Sequence, residues 1–271
     1  MKKFLRKFFA YIKWCRQGGY SQILLSHVSY PNILEDKKAL ITGGSEGIGL
    51  AIAKKFISAG ASVVITGRSL DKLIKAEKEI NSKKLFILQW DVCDVNLINA
   101  NLDRVKALMG GIDIVVNNAA FLSHYSNTIE YFDKTMNTNL RALYFMCEAC
   151  CRFMKEENDL KGGHIVNISS INAYQSNVHP YYITKRAGNA ITEGFAKKYA
   201  PYNIVVNGVA PGYCDSSINK QDAQKNAYWS DAANNRITTP SEIAEIVTFL
   251  CSGAANGIVG QTIICDGGTL L

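Results

Sequence analysis

Residues 39–49 read Ala-Leu-Ile-Thr-Gly-Gly-Ser-Glu-Gly-Ile-Gly, and this stretch decides the fold. The short apolar run predicts a buried strand, and the glycines after it predict a tight loop that opens a helix. Glycine allows a positive φ and lets another group approach the backbone closely. The free N–H groups and the positive dipole end of the following helix suit a phosphate. The stretch therefore predicts a strand, a phosphate-binding loop and a helix, in that order.

The same alternation of apolar strands and helices continues along the chain. Strands are predicted at 39–41, 62–66, 85–90, 112–116, 164–168, 204–209 and 262–265. Helices are predicted from the glycine loop to 60, over 69–81, 128–157 and 181–199, and after a capping box at 239–242. Uniformly apolar strands that alternate with helices indicate a parallel sheet covered on both faces. The predicted fold class is therefore α/β: a single domain with a doubly wound, Rossmann-type parallel sheet of about seven strands and helices on both faces.

The net charge of +7 belongs to the N-terminal segment, because residues 1–34 hold six basic and no acidic residues and residues 35–271 carry only +1. A nucleic-acid partner is therefore not expected. The predicted organisation is a basic amphipathic helix over 1–19, a linker over 20–36 and the domain over 37–271. The helix suits either peripheral contact with a membrane surface or packing on its own domain or a partner subunit. It resembles neither a signal peptide nor a membrane span, so we expect a cytoplasmic protein, with peripheral membrane association as the alternative.

The eight cysteines are expected to be free thiols in a reducing compartment, since no secretory signal is present. Cys147 and Cys150 have the CxxC spacing, but no second pair stands at a matching interval. We therefore predict no metal site.

The end of the second strand indicates which nicotinamide nucleotide binds. An acidic residue there would bind a ribose 2′-hydroxyl, whereas an arginine suits a 2′-phosphate. The chain reads Thr66-Gly67-Arg68-Ser69 at this point, with no Asp or Glu. NADP(H) is therefore favoured, with NAD(H) possible, because Glu46 in the glycine loop would repel a phosphate and Arg68 could be a plain surface residue.

Tyr181 and Lys185 stand four residues apart at the start of a predicted helix, so they lie on one face. A nearby ammonium favours the phenolate and is expected to lower the tyrosine pKa toward the range of a general acid or base. Ser169 and Ser170 end the fifth strand, where a hydroxyl can hold a substrate oxygen as it gains charge.

With these motifs in order, the chain resembles the short-chain dehydrogenase/reductase family from about residue 37 to the end. The matching pieces are Thr42-Gly43-x-x-x-Gly47-x-Gly49, Asp91-Val92, Asn117-Asn118-Ala119-Ala120, Asn139, Ser170, Tyr181-xxx-Lys185, Pro211-Gly212 and Asp266-Gly267-Gly268.

The resemblance implies the reaction and the roles of the residues. It implies hydride transfer between NAD(P)(H) and a carbonyl or alcohol carbon, with Tyr181 moving the proton and Ser170 orienting the carbonyl. Lys185 would tune the tyrosine and bind the nicotinamide ribose, and Asn139 would hold a water in a proton relay. The implied cofactor-binding residues are Thr42, Gly43, Ser45, Glu46, Gly47, Ile48, Gly49, Arg68, Asp91, Val92, Asn117, Ala119, Tyr181, Lys185, Pro211, Gly212 and Ser216.

The chain departs from the family pattern in three places. The interval from Ser170 to Tyr181 is about two residues short, which leaves Ser169 as a possible substitute. Ala120 stands where glycine is usual, and Glu46 stands where NADP-preferring members often have a basic residue.

Substrate choice should come from the loops 121–130, 171–180 and 212–239, which are polar with a few aromatic residues. They favour a polar or sugar-like ketone, and a 3-oxoacyl-thioester reductase is the alternative. A cofactor-binding scaffold without turnover is the alternative from another class. The resemblance also implies a homodimer or homotetramer. Its contact faces would be the helix with Cys147–Cys151 and the helix from Tyr181, although an apolar helix could equally be buried within the monomer.

Overall fold

The computed structural model describes residues 8, 12, 32–122, 126, 128–158, 161–214 and 227–271. Apart from residues 8 and 12, the helix predicted over 1–19 lies outside the described residues, as does most of the linker predicted over 20–36.

Seven parallel strands form a single sheet, as predicted. They are β1 (Lys38–Thr42), β2 (Ser62–Gly67), β3 (Leu85–Gln89), β4 (Ile114–Asn117), β5 (Gly163–Ile168), β6 (Ile204–Pro211) and β7 (Thr262–Cys265). Their order is β3-β2-β1-β4-β5-β6-β7. The order reverses between β1 and β4, so a crevice opens beyond the carboxyl ends of these two strands.

The helices cover both faces of the sheet. They are α1 (Gly47–Ser58), α2 (Leu70–Ile80), α3 (Ile98–Met109), α4 (Ile129–Met136), α5 (Ala142–Glu157), α6 (Pro180–Tyr199) and α7 (Pro240–Leu250). A π-helical segment, Asn137–Arg141, joins α4 to α5, so the long helix predicted over 128–157 is continuous but not uniformly α-helical.

Helix α3 is absent from the predicted elements. Its buried residues Ile98, Leu102 and Val105 recur at helical spacing, so the apolar period was available in the sequence. Asparagines and charged residues on its other positions weaken the overall apolar signal.

Each face of the sheet packs its own apolar core. On one face, α1, α2 and α7 bury side chains such as Phe56, Leu73 and Val247. On the other face, α3, α5 and α6 bury side chains such as Leu102 and Met154. The two cores fix the sheet from both sides, which holds the carboxyl ends of the strands in place.

The packed domain starts before the predicted boundary at residue 37. Leu34 is fully buried in the first core, and its backbone N–H donates to the Ala59 carbonyl at 2.9 Å. The end of the predicted linker therefore belongs to the domain, because Leu34 has an apolar site to fill.

The cysteine-rich part of α5 faces inward. Cys147, Cys150 and Cys151 are buried in the second core, so they are not available for contact between subunits. Exposed aromatic side chains on the same helix are Tyr144 and Phe145. Within the described residues, no helix combines the length and the apolar character that a membrane span requires.

Candidate active site

Two cavities lie side by side at the carboxyl ends of the strands. The glycine-loop groove, of about 470 Å³, is lined by the loop after β1 and by the ends of β2, β3 and β4. The tyrosine cavity, of about 330 Å³, is lined by the ends of β5 and β6 and the start of α6. Ile48, Asn118 and Ala120 line both, so the two form one continuous cleft.

The glycine loop has the geometry of a phosphate cradle. Gly43 and Gly47 have φ values of +64° and +56°, a region that favours glycine. A Cβ on Gly49 would lie 2.3 Å from the Gly43 carbonyl oxygen, so only glycine lets α1 pack this closely on the loop. The side chain of Glu46 makes no capping hydrogen bond at the start of α1. The first N–H groups of the helix are therefore available to an anion in the groove.

The lining of this groove includes three charged side chains. Arg68, Lys72 and Glu46 all line it. The Lys72 ammonium donates to both oxygens of the Glu46 carboxylate, at 3.1 and 3.0 Å. Gln89 donates to the Arg68 carbonyl oxygen at 2.9 Å, which fixes the backbone of Arg68. The carboxylate that would repel a phosphate is thus paired with a lysine.

Most of the predicted cofactor-binding residues line the cleft. Those that do are Gly43, Ser45, Glu46, Gly47, Ile48, Arg68, Asp91, Val92, Ala119, Tyr181, Lys185, Pro211 and Gly212.

Three other predicted residues lie behind the wall of the cleft. The Thr42 hydroxyl is buried and accepts from the backbone N–H groups of Asn118 and Ala119, which ties the ends of β1 and β4 together. Asn117 is buried and donates to the Asn167 side chain at 2.9 Å. Gly49 acts through its close packing. These three shape the cleft from behind, and Ser216 lies outside the described residues.

Several lining residues were not predicted from the sequence. They are Ser69, Lys72, Trp90, Asn118, Ala120 and Thr138. Asn118 is held by donating to the carbonyl oxygens of Thr42 and Gly43, at 3.0 and 2.9 Å. Its place beside Asn117 in the Asn-Asn-Ala-Ala motif was the available signal.

Helix α6 has a side-chain cap and a proline at its start. Pro180 stands in the first turn, and the His179 ring Nδ1 accepts from the Tyr181 backbone N–H at 3.0 Å as the N-cap. Tyr181 and Lys185 therefore lie one turn apart on α6, and both line the tyrosine cavity.

Burial raises the pKa of Tyr181 to about 12, and contact with the Ser170 hydroxyl acts against that rise. The expected lowering of this pKa by Lys185 is therefore not seen in the protein alone. The phenol is protonated at neutral pH, which is the state that a proton donor requires.

Lys185 is buried beneath the tyrosine. Its ammonium donates to the Ile168 carbonyl oxygen at 2.7 Å and lies 5.5 Å from the centroid of the Tyr181 ring. Burial lowers the pKa of Lys185 to about 8.

The two serines at the end of β5 have different partners. The Ser170 oxygen accepts from the Asn172 backbone N–H at 3.2 Å, which leaves its proton for an oxygen in the cavity. The Ser169 hydroxyl donates to Asn189 on α6 at 2.6 Å. Of the two, Ser170 has the free donor next to Tyr181.

Asn139 lies in the π-helical segment, and its side chain bonds the Phe121 backbone at both its oxygen and its nitrogen. It accepts from the Phe121 backbone N–H at 2.7 Å and donates to the Phe121 carbonyl oxygen at 2.8 Å. The side chain therefore holds the segment after β4.

The outer wall of the tyrosine cavity follows β6. Tyr213 stacks on Trp229 with ring centroids 4.1 Å apart and planes at 2°. Asn172, Gln175, Asp231 and Thr269 add polar groups to the lining. A Cβ on Gly212 would lie 2.7 Å from the Asp266 Cα, which accounts for the glycine there.

The chain matches a family model described as enoyl-(acyl carrier protein) reductase over residues 43–269. Dehydrogenase/reductase SDR family member 4 of Sus scrofa is 33% identical over 250 residues, which cover 87% of this chain and 88% of that protein. The 3-oxoacyl-[acyl-carrier-protein] reductase FabG of Aquifex aeolicus is 33% identical over 245 residues, which cover 87% of this chain and 98% of that protein.

Solved structures share the fold. A short chain dehydrogenase from Burkholderia cenocepacia in complex with NADP is 32% identical, with a TM-score of 0.80 and coverage of 89% of this chain and 100% of that one. A 3-ketoacyl-(acyl-carrier-protein) reductase from Brucella melitensis complexed with NADH is 27% identical, with a TM-score of 0.80 and coverage of 88% and 100%.

Proposed function

The chain belongs to the short-chain dehydrogenase/reductase family, and on that premise we propose that it is an NADPH-dependent reductase of a ketone carbonyl in a polar small molecule. The observation that carries the proposal is the meeting of Ser170, Tyr181 and Lys185 in a cavity continuous with the glycine-loop groove.

The proposed chemistry follows from the protonation states of these residues. The Ser170 and Tyr181 hydroxyls would both donate to the substrate carbonyl oxygen and stabilise the charge that develops on it. A bound nicotinamide supplies the hydride. Tyr181 would then give its proton to the new alkoxide, and the Lys185 ammonium beneath the ring would stabilise the phenolate that remains. A phenol that is protonated at neutral pH suits reduction of a carbonyl better than oxidation of an alcohol.

The groove fits a phosphorylated dinucleotide. We propose that the glycine loop and the start of α1 hold the pyrophosphate, and that Arg68 holds the ribose 2′-phosphate. The Glu46 carboxylate does not prevent phosphate binding here, because it is paired with Lys72. The exposed pair is weak, and a phosphate dianion would attract the same ammonium. The Burkholderia relative, solved with NADP, supports this choice.

The lining of the tyrosine cavity supports a polar substrate. Asn172, Gln175 and Thr269 offer donors and acceptors for hydroxyl groups, and the Tyr213–Trp229 stack offers a flat apolar surface of the kind that sugar rings pack on. Asp231 at the cavity adds a negative charge, which disfavours an acidic substrate.

A 3-oxoacyl-thioester reductase is the second candidate. The matched family model and the Aquifex relative are both named for acyl-carrier-protein reductases, and the same Ser, Tyr and Lys set would serve a 3-oxoacyl group.

Initial rates of NADPH oxidation test the proposal, with polyhydroxylated ketones in one series and acetoacetyl-CoA as the 3-oxoacyl thioester in the other. We expect turnover in the first series and a loss of about 10²- to 10⁴-fold in kcat for Tyr181→Phe. Tyr202→Phe, in the turn before β6 at the end of the sheet away from the cleft, is the matched control. Turnover confined to the thioester would support the second candidate. Binding of NADPH without turnover on any carbonyl would support the scaffold alternative.

We also propose that the protein forms a homo-oligomer. Tyr144 and Phe145 on α5 and Ile183 on α6 are large apolar side chains that stay exposed in the single chain. Sedimentation of the purified protein tests this, and a monomer at all concentrations would contradict it.

A further inference from the structure

The side chain of Asn189 on α6 contacts Ser169, which follows the end of β5. Its side-chain oxygen accepts from the Ser169 hydroxyl at 2.6 Å, across 20 positions in the chain. Ser169 is otherwise fixed by its backbone N–H, which donates to Val209 on β6 at 2.7 Å. The residue next to the proposed catalytic serine is therefore tied both to the sheet and to the catalytic helix.

The position of Asn189 on α6 relates this contact to the proposed catalytic residues. Tyr181, Lys185 and Asn189 follow one another at intervals of four, so they lie along one face of α6. The first two line the tyrosine cavity. The third reaches Ser169, between the end of β5 and Ser170, so one helix face carries the proton donor, the lysine and a link to the serine.

The same asparagine lies beside the far end of the turn after Ser170. This turn, Ile171–Tyr174, is a 3₁₀ helix. Tyr174, Asn189 and Thr262 line one cavity. Asn189 therefore lies close to both ends of the segment that carries Ser170, and its hydrogen bond fixes the Ser169 end.

Because the connection from Ser170 to Tyr181 is short, a contact between α6 and Ser169 would help to hold Ser170 in place. A catalytic hydroxyl must be held closely, because a misplacement of ~1 Å can cost about 10²-fold in rate. Ser170 itself is held at its oxygen by the Asn172 backbone N–H.

We propose that Asn189 is a positioning residue that holds Ser170 against Tyr181 through Ser169. The proposal rests on the proposed function, since it assigns the alignment of the same catalytic groups. It also gives Ser169 a role as a link and not as a substitute for Ser170.

Four variants and one control test the proposal. Asn189→Leu keeps the size of the side chain and removes its hydrogen bonds, whereas Asn189→Asp keeps the acceptor for Ser169. Ser169→Ala removes the other half of the contact, and the double variant Ser169→Ala/Asn189→Leu closes a thermodynamic cycle. Glu193→Gln, on an exposed residue one turn further along α6, is the matched control.

We expect Asn189→Leu and Ser169→Ala each to lower kcat by about 10- to 100-fold, with the KM for NADPH unchanged. The double variant should lose no more than either single variant, Asn189→Asp should recover most of the rate, and Glu193→Gln should match the wild type. Wild-type kcat in Asn189→Leu, or losses that multiply in the double variant, would overturn the proposal.

A crystal structure of Asn189→Leu separates this proposal from the proposed function. If the wild type reduces no carbonyl, the proposed function fails. The positioning proposal is then tested by itself: we expect the Ser170 hydroxyl to have moved away from the Tyr181 hydroxyl in the variant. An unmoved Ser170 would overturn it.

Discussion

At the scale of single residues, the proposed chemistry depends on two buried groups whose pKa values move in opposite directions. Burial raises the pKa of Tyr181 to about 12 and lowers the pKa of Lys185 to about 8. Each shift has the same cause, because desolvation disfavours the charged form of either group. At neutral pH the pair is a neutral phenol above an ammonium, which is the arrangement that carbonyl reduction needs.

The pH dependence of reduction should follow Lys185. As the pH rises through about 8, the ammonium loses its proton and no longer stabilises the phenolate, whereas Tyr181 remains protonated. We expect kcat for NADPH oxidation to fall above about pH 8, measured from about pH 6 to about pH 10. A rate that stays constant across this range would show that Lys185 does not tune the tyrosine.

Glu46 should weaken binding of NADPH and Lys72 should strengthen it, with NADH nearly unaffected by either. Glu46→Gln frees the Lys72 ammonium for a phosphate, so we expect NADPH to bind about five-fold more tightly, equivalent to ~1 kcal/mol. Lys72→Met should have the opposite effect, again about five-fold. Fluorescence titration checks both.

Lys75→Met is the control for that titration, because Lys75 is exposed on the same helix one turn further along. Equal changes for NADPH and NADH would mean that the pair does not face the 2′-phosphate.

At the scale of elements, the start of α6 decides where the proposed catalytic tyrosine lies. His179 caps the helix with its Nδ1, and its Nε2 lies 3.3 Å from the Tyr131 hydroxyl. Accepting at Nδ1 requires the neutral ring, and burial lowers the pKa of His179 below its usual 6.5.

We therefore expect His179 to make stability depend on pH. In the range near and below pH 6.5 the unfolded chain binds more protons than the folded one, so the capping contribution is present above this range and is lost as the pH falls. His179→Ala should lower the free energy of unfolding by about 1 kcal/mol at neutral pH, and His179→Asn should lower it less. Chemical denaturation measures both, and equal stability of all three proteins would contradict the capping role.

The elements that the sequence predicts well are those with a local cause. The glycine loop, the capping box at Thr239 and the four-residue spacing of Tyr181 and Lys185 all depend on neighbours in the chain, and the structure contains each of them. Contacts between distant elements could not be predicted in this way. Lys72 reaches Glu46 across 26 positions and Asn189 reaches Ser169 across 20, and only the packing of the helices on the sheet brings these pairs together.

The pKa of Tyr181 illustrates the same limit. The sequence shows that a lysine is one turn away, but it does not show how deeply the phenol is buried. Burial outweighs the ammonium in the protein alone, so the expected direction of the shift was wrong.

At the scale of the whole molecule, the cleft is built entirely from the packed domain. Its lining residues run from Gly43 to Thr269 within the described residues. We expect removal of residues 1–19 to leave NADPH oxidation unchanged and to abolish flotation with anionic lipid vesicles, as a basic amphipathic helix would predict.

A full-length variant with Lys2, Lys3, Arg6 and Lys7 changed to Glu separates charge from length in that experiment, and it should also fail to float. Unchanged flotation of the truncated protein would contradict membrane contact through this segment.

The central claim is that Arg68 in the cleft binds the 2′-phosphate of NADPH. The most direct test is a binding titration of NADPH and NADH with the wild type and Arg68→Ala. We expect the wild type to bind NADPH about 10-fold or more tightly than NADH, a difference of ~1.4 kcal/mol that a charged hydrogen-bonded contact can supply. Arg68→Ala should remove most of that preference and leave NADH binding unchanged. Equal binding of the two nucleotides by the wild type, or a preference for NADH, would contradict the account.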